Sequence, residues 1–360
     1  MRKPILFLLV LLVCALPFSG GAEGTEPPAG GPEGAAGFAE ENPDFNPEDL
    51  ASSGMSASGA GLVTLTDEQF SVDDIPAEYL EESDRPGRVE KIRYTVATEE
   101  GNQVKIATVY LPYGYDTSGE RYNVLYLLHA ASGKPQNYLN PDSATAFRNL
   151  LDHMIADGKL EPLIVVAPTY YPSEGFMQYM PLTLQVAGID GFPQELVEKV
   201  IPAVEQKYRT WADSTDIEAI VASRAHRGIA GFSLGGVATW NVFRQEMRCF
   251  RWFLPISEAS WADEDGGTSG IWDSDVSAQV LYDAVKEQGY EKDDFRLFVA
   301  TGTEDEAFEI STNQMISLLE YADLFKPGEN TSCSMMMGGT HTITAVYTYL
   351  YHILPALFVQ

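Results

Sequence analysis

An open, mostly parallel β-sheet covered by helices on both faces is the fold class this sequence predicts, and three observations carry the prediction. From residue 88 onward the patterns run strand, strand, strand, helix, and then strand and helix in turn, which is the grammar of βαβ units. Two of the strand-like runs, Asn123 to His129 and Leu163 to Pro168, are continuously apolar, as strands buried on both faces are. The third is the pentapeptide Gly231-Phe232-Ser233-Leu234-Gly235, set between a buried strand and a helical pattern.

The elements follow in chain order. Met1 to Ala22 has Arg2 and Lys3, an apolar run from Ile5 to Phe18 and small residues at its end. This is the pattern of a secretory signal peptide, too short in its apolar part to span a bilayer comfortably. Cys14 raises a lipid-modified N-terminus as the alternative, but Val13 stands where lipoprotein signals place a small residue. Residues 23–61 are Gly, Ala, Pro, Glu and Ser with few large apolar side chains. Such a segment cannot bury enough surface to offset its ordering entropy, so it reads as a disordered tether. Residues 62–360 then form one α/β domain. Arg88 to Thr98 and Gln103 to Leu111 alternate around Glu99-Glu100-Gly101-Asn102 and predict an antiparallel hairpin. Gly228 to Phe232, Trp252 to Ile256, Phe295 to Ala300 and Cys333 to Met337 continue the strand series. Phe192 to Trp211, Gly236 to Arg244 and Thr344 to Phe358 carry the helical patterns.

A net charge of −29 argues against a nucleic-acid partner, because phosphate binding needs an excess of Lys and Arg. The expected location is outside the cytoplasm, secreted or at the cell surface, with no stable membrane span. Beyond the leader the chain keeps Cys249 and Cys333; a disulfide and two buried free thiols are both compatible with their spacing. Asp263-Glu264-Asp265-Gly266 lacks the spacing of a calcium loop and reads as solvated surface. No metal-ligating His pair or phosphate cradle is present in the sequence, and no cofactor or metal is expected.

The chemistry lies in the pentapeptide. Glycines on either side of Ser233 suit a cramped strand-to-helix turn that projects the hydroxyl above the sheet, the nucleophile elbow of the α/β-hydrolase fold. A serine hydroxyl needs a neighbouring base held by a carboxylate, and in this fold acid and then His follow the serine along the chain. Of five histidines, His341 and His352 lie after Ser233. His341 sits in the turn Gly338-Gly339-Thr340-His341 after the last strand and is the expected base, whereas His352 falls in the terminal helix as a packing residue. Asp305 follows the strand Phe295 to Ala300 and is the expected acid, with Glu304 and Glu306 turned to solvent. Glu258, just past Trp252 to Ile256, is its positional rival. Oxyanion donors are expected from the backbone N–H groups of Leu234 and of Ala130, in the loop His129-Ala130-Ala131-Ser132-Gly133. His129 itself reads as structural. Tyr170, Tyr171 and Trp261 follow strand ends and are candidate substrate-binding rings, while Trp240 reads as core.

The segments Val109 to Asp116, Leu125-Tyr126-Leu127-Leu128-His129, Arg227 to Trp240, Gly302-Thr303-Glu304-Asp305 and Gly339-Thr340-His341 together resemble the esterase D family. Within it the chain is most similar to the feruloyl and acetyl-xylan esterases of the first carbohydrate esterase family. The resemblance covers nearly all of the chain after residue 88. It implies an α/β-hydrolase fold, a serine carboxylic-ester hydrolase, Ser233, Asp305 and His341 as nucleophile, acid and base, and acylated plant polysaccharide as substrate. Two departures bear on the oxyanion loop and the acyl pocket: Ala130-Ala131 stands where the family is usually glycine-rich, and Thr342 replaces an aromatic residue. A small-molecule esterase, thioesterase or acyltransferase would keep the triad with another substrate. A non-catalytic carbohydrate-binding homologue would be free to lose it.

Overall fold

The computed structural model describes residues 65–67 by their backbone, and residues 74–98, 101–171, 188–262 and 273–359. The leader over 1–22, the tether over 23–61 and the acidic run at 263–266 lie outside the described residues.

The described strands are β1 (Leu65–Asp67), β2 (Arg88–Thr98), β3 (Gly101–Leu111), β4 (Asn123–Leu128), β5 (Leu163–Ala167), β6 (Arg227–Phe232), β7 (Trp252–Ile256), β8 (Arg296–Gly302) and β9 (Thr331–Met336). They form one sheet in the order β1-β9-β8-β7-β6-β4-β5-β3-β2. The hairpin β2–β3 is antiparallel in the register Arg88↔Leu111, and β3 pairs antiparallel with β5. All other pairings are parallel. This is the predicted fold class. The short β1, beside β9, was not expected, because three residues are too few to show a period.

Strands β4 to β7 are buried along nearly their whole length, which requires cover on both faces. Alternation in β7 shows how the cover divides. Trp252, Leu254 and Ile256 join the core that contains Phe147, Met154 and Tyr347. On the other face Phe253 meets Phe243 at 4.9 Å between ring centres, with Phe295 beyond at 5.4 Å from Phe243. The first face is closed by α1 (Ala146–Ala156) and the last helix, whose Phe147 and Tyr347 rings stack at 5.9 Å. Burying one such ring contributes about 1.5–3 kcal/mol, so each ring of these two clusters adds measurably to the stability of the sheet.

The helix expected over Phe192 to Trp211 is broken into α2 (Phe192–Glu195), a π turn (Leu196–Val200) and α3 (Ile201–Lys207). Pro202 explains the interruption: it lacks an N–H and its ring clashes with the carbonyl one turn back, so the chain widens there. The remaining helices are α4 (Ile217–Ala222), α5 (Leu234–Glu246), α6 (Ser274–Glu287), α7 (Phe308–Leu319) and α8 (Ile343–Ile353). Cys249 and Cys333 are buried free thiols, and burial pushes their pKa values up to about 11 and about 12.

Candidate active site

The carboxyl ends of the parallel strands carry the candidate site, as open parallel sheets dictate. Ser233 joins β6 to α5 with φ +56° and ψ −126°, a conformation that costs a non-glycine residue on the order of 1–3 kcal/mol. The surrounding packing holds it there. Ser233 N–H donates to Ile256 O at 3.0 Å, and Gly236 and Val237 N–H return to Ser233 O. A β-carbon on Gly235 would lie 2.6 Å from the carbonyl oxygens of both Leu128 and His129, so only glycine lets α5 start this close to β4.

His341 and Asp305 meet behind this turn. His341 Nδ1 bonds Asp305 Oδ1 at 2.8 Å, and the imidazole packs on Phe232, one residue before the serine, at 4.5 Å between ring centres. Asp305 is held by a second bond from Ala307 N–H at 2.8 Å. The two loops are also tied to each other, since Glu304 N–H donates to Gly339 O and Gly338 N–H to Thr303 Oγ1, both at 2.9 Å. Their approach requires Gly302, whose added β-carbon would sit 2.2 Å from Gly339 O. Burial opposes the protonated form of His341, but the hydrogen bond and charge of Asp305 outweigh it and raise the imidazole above the ordinary His range. Glu304 and Glu306 are exposed, as expected.

Leu234 opens α5, and a first-turn N–H has no acceptor inside its own helix. The abutment of Gly235 on Leu128 and His129 sets the Ala130 loop beside it. His129 is buried and neutral: burial lowers its pKa to about 4. Its Nδ1 meets Ala130 O and its Nε2 meets Thr169 Oγ1, each at 2.9 Å. Tyr170 and Tyr171 are buried rather than presented as open faces, at 2% and 0% exposure. Tyr170 OH donates to His129 O at 2.8 Å, and Ser132 N–H donates to Tyr171 OH at 2.7 Å. The tyrosines therefore shape the Ala130-Ala131 loop from beneath, a role sequence position does not reveal.

Trp261 is half-buried and its Nε1–H donates to Glu258 Oε1 at 3.3 Å. Trp240 is fully buried and donates to Glu258 O, which places it in the core. Glu258 is not joined to the His341 ring; burial raises its carboxyl to about 7. His352 bonds Asp74 at 3.0 Å, away from the serine loop. Thr342 caps α8 by accepting from Ala345 N–H at 3.3 Å, which accounts for a hydroxyl at that position. No group of His, Cys, Asp and Glu able to hold a metal ion occurs among the described residues.

Residues 99–324 match the Esterase family model, a span that takes in Ser233 and Asp305. This chain belongs to the esterase family. The chain is 34% identical over 288 residues to endo-1,4-beta-xylanase Y of Acetivibrio thermocellus, a match covering 79% of this chain and 24% of that protein. It is 27% identical over 183 residues to an endo-1,4-beta-xylanase/feruloyl esterase of Xylanibacter ruminicola, covering 50% and 23%. The matches thus span about a quarter of the length of these relatives. Among solved structures, a serine-to-alanine mutant of the feruloyl esterase module of Clostridium thermocellum, complexed with sinapinate, is 31% identical. It covers 82% of this chain and 96% of that one, with a TM-score of 0.68. The ferulic acid esterase of Anaeromyces mucronatus shares the fold, with 18% identity, coverage of 81% and 98%, and a TM-score of 0.60.

Proposed function

We propose that this esterase is an exported serine carboxylic-ester hydrolase that removes feruloyl groups from plant cell-wall xylan. The observation that carries the reading is the Asp305–His341 hydrogen bond set behind the strained Ser233 turn, in a chain 31% identical to a feruloyl esterase module along 96% of that module.

In this reading Ser233 Oγ attacks the ester carbonyl while His341 Nε2 takes its proton. Asp305 holds the imidazole by Nδ1 and stabilises its protonated form. The N–H groups of Leu234 and Ala130 donate hydrogen bonds to the carbonyl oxygen as negative charge develops on it. Collapse of the tetrahedral intermediate breaks the C–O bond to the sugar, and the departing alkoxide receives the proton from His341. Water, deprotonated by the same imidazole, then attacks the acyl carbon, and the bond to Ser233 Oγ breaks as His341 returns the proton to that oxygen, releasing ferulate. Support for export is the Met1 to Ala22 pattern, and no helix among the described residues is long and apolar enough to cross a membrane.

The test is kcat/KM for a feruloyl arabinose ester, acetylated xylan and a simple aryl acetate, since discrimination is a ratio of those constants. The reading expects the feruloyl ester to lead. A preference for the aryl acetate over both sugar esters would defeat the polysaccharide substrate and leave the serine mechanism standing.

A further inference from the structure

Next to the Asp305–His341 pair lies a second buried carboxyl group that the reaction above does not use. Glu258 follows β7 and is 8% exposed. Its Oε1 accepts from Ala259 N–H at 3.1 Å and from Trp261 Nε1–H at 3.3 Å. A β-carbon on Gly236 would lie 3.2 Å from Glu258 Cβ, so the stem of Glu258 runs along the helix that begins at the serine turn. The backbone that delivers it is strained: Ser257 is buried and has φ +53°. Two strained serines, 233 and 257, thus leave adjacent strands at the same end of the sheet. Strain of this kind persists where the surroundings over-determine it, and it concentrates at functional sites. An acid in such a place is costly to bury, and both hydrogen bonds on its Oε1 serve the residues that follow it.

We infer that Glu258 is a specificity-determining positioning residue: by accepting the Trp261 indole N–H it fixes that ring as a wall of the pocket for an aromatic acyl group. The inference rests on the esterase reading above. Trp261 is a half-buried ring at this end of the sheet. With its N–H occupied by Glu258, it turns its apolar faces to a planar ligand, the offset contact that aromatic groups favour. Glu258 touches neither the ester nor the imidazole in this scheme; it acts through Trp261.

The test compares methyl ferulate with 4-nitrophenyl acetate in the full chain and in Glu258→Ala, Glu258→Gln, Trp261→Ala and the Ala/Ala double variant. Glu258→Ala should lower the ferulate-to-acetate ratio of kcat/KM about tenfold, mostly through KM, the scale of one pocket contact. The double variant should match Trp261→Ala alone, because the two side chains form one unit. Glu258→Gln keeps an acceptor oxygen and should restore the ratio. Equal losses on both esters, additive effects in the double variant, or failure of Gln to rescue would each overturn the inference. Should Glu258→Ala not fold, Trp261→Phe removes the same bond from the other side while keeping a ring; an unchanged ratio there also overturns it. Absence of hydrolysis of both esters by the unaltered chain would instead sink the esterase reading, a result distinct from any change in the ratio.

Discussion

Strand β6 runs between two buried charge clusters, and they are built on opposite plans. At its amino end Arg227 pairs with Glu205 at 2.6 Å, with both side chains at 2% exposure or less. Arg227 also donates to Ile220 O, Cys249 O and Ser223 Oγ, and the second oxygen of Glu205 accepts from Thr210. Just past its carboxyl end lie Ser233, His341, Asp305 and Glu258. There Asp305 Oδ1 takes two hydrogen bonds while the buried Oδ2 has no partner among the described residues. The first cluster joins opposite charges and uses both terminal guanidinium nitrogens twice, leaving Arg227 Nε without a partner among the described residues, close to the arrangement a buried ion pair needs in order to be tolerated. The second joins one carboxyl to the imidazole, keeps a second buried carboxyl whose charge reaches the ring, and leaves acceptor capacity over. The amino end of the strand is built to hold still, and the carboxyl end keeps groups able to change charge.

This contrast can be broken at its sharpest point. Ser233→Ala should leave the far-ultraviolet circular dichroism unchanged and reduce ester hydrolysis by about a millionfold, the scale set by other serine hydrolases. Retention of more than a few per cent of the rate in purified, folded protein would remove Ser233 from the mechanism. Next in size, Asp305→Asn should lower kcat by about ten-thousandfold, with Glu258→Gln far milder. A reversal of that order would make Glu258 the partner of the base.

The pH profile gives Asp305 a separate signature. Hydrolysis needs neutral His341, whose pKa lies above the ordinary His value because Asp305 favours the protonated form. The rate should therefore rise with pH through a midpoint above about 6.5, and Asp305→Asn should move that midpoint down. A midpoint that stays in place would show that the charge on Asp305 does not reach the ring. The amino end should respond in stability: Arg227→Met leaves Glu205 buried and unpaired, at a cost of about 3–5 kcal/mol in urea unfolding. A loss under 1 kcal/mol would mean that water reaches Glu205 and that the two clusters differ less than their geometry suggests.

Much of this arrangement was legible in the sequence because it follows from local rules. Apolar runs marked β4 and β5, glycine spacing marked the turn at Ser233, and chain order separated His341 from His352. The structure adds what depends on distant partners. Tyr170 and Tyr171 follow a strand end and look available to a ligand, yet their hydroxyls are bound beneath the 129–132 loop by main-chain groups some 40 positions earlier. Glu258 looks like a rival of Asp305 until Trp261 is seen to hold it and the Asp305 loop is seen to be tied to that of His341. Pro202 was in plain view, but a pattern read at a fixed period has no means of inserting a π turn.

The tie between the loops after β8 and β9 also bears on the order in which the protein becomes competent. Ser233 leaves β6, Asp305 leaves β8 and His341 leaves β9, so the acid and base meet only when β9 has been laid beside β8. Parallel neighbours are joined by long crossovers and pair slowly. The hairpin β2–β3, whose partners are adjacent in sequence, can form without any of this. During folding, a chain can hold most of its helices and strands while its serine still has no base. The appearance of turnover therefore requires that β9 has already paired with β8.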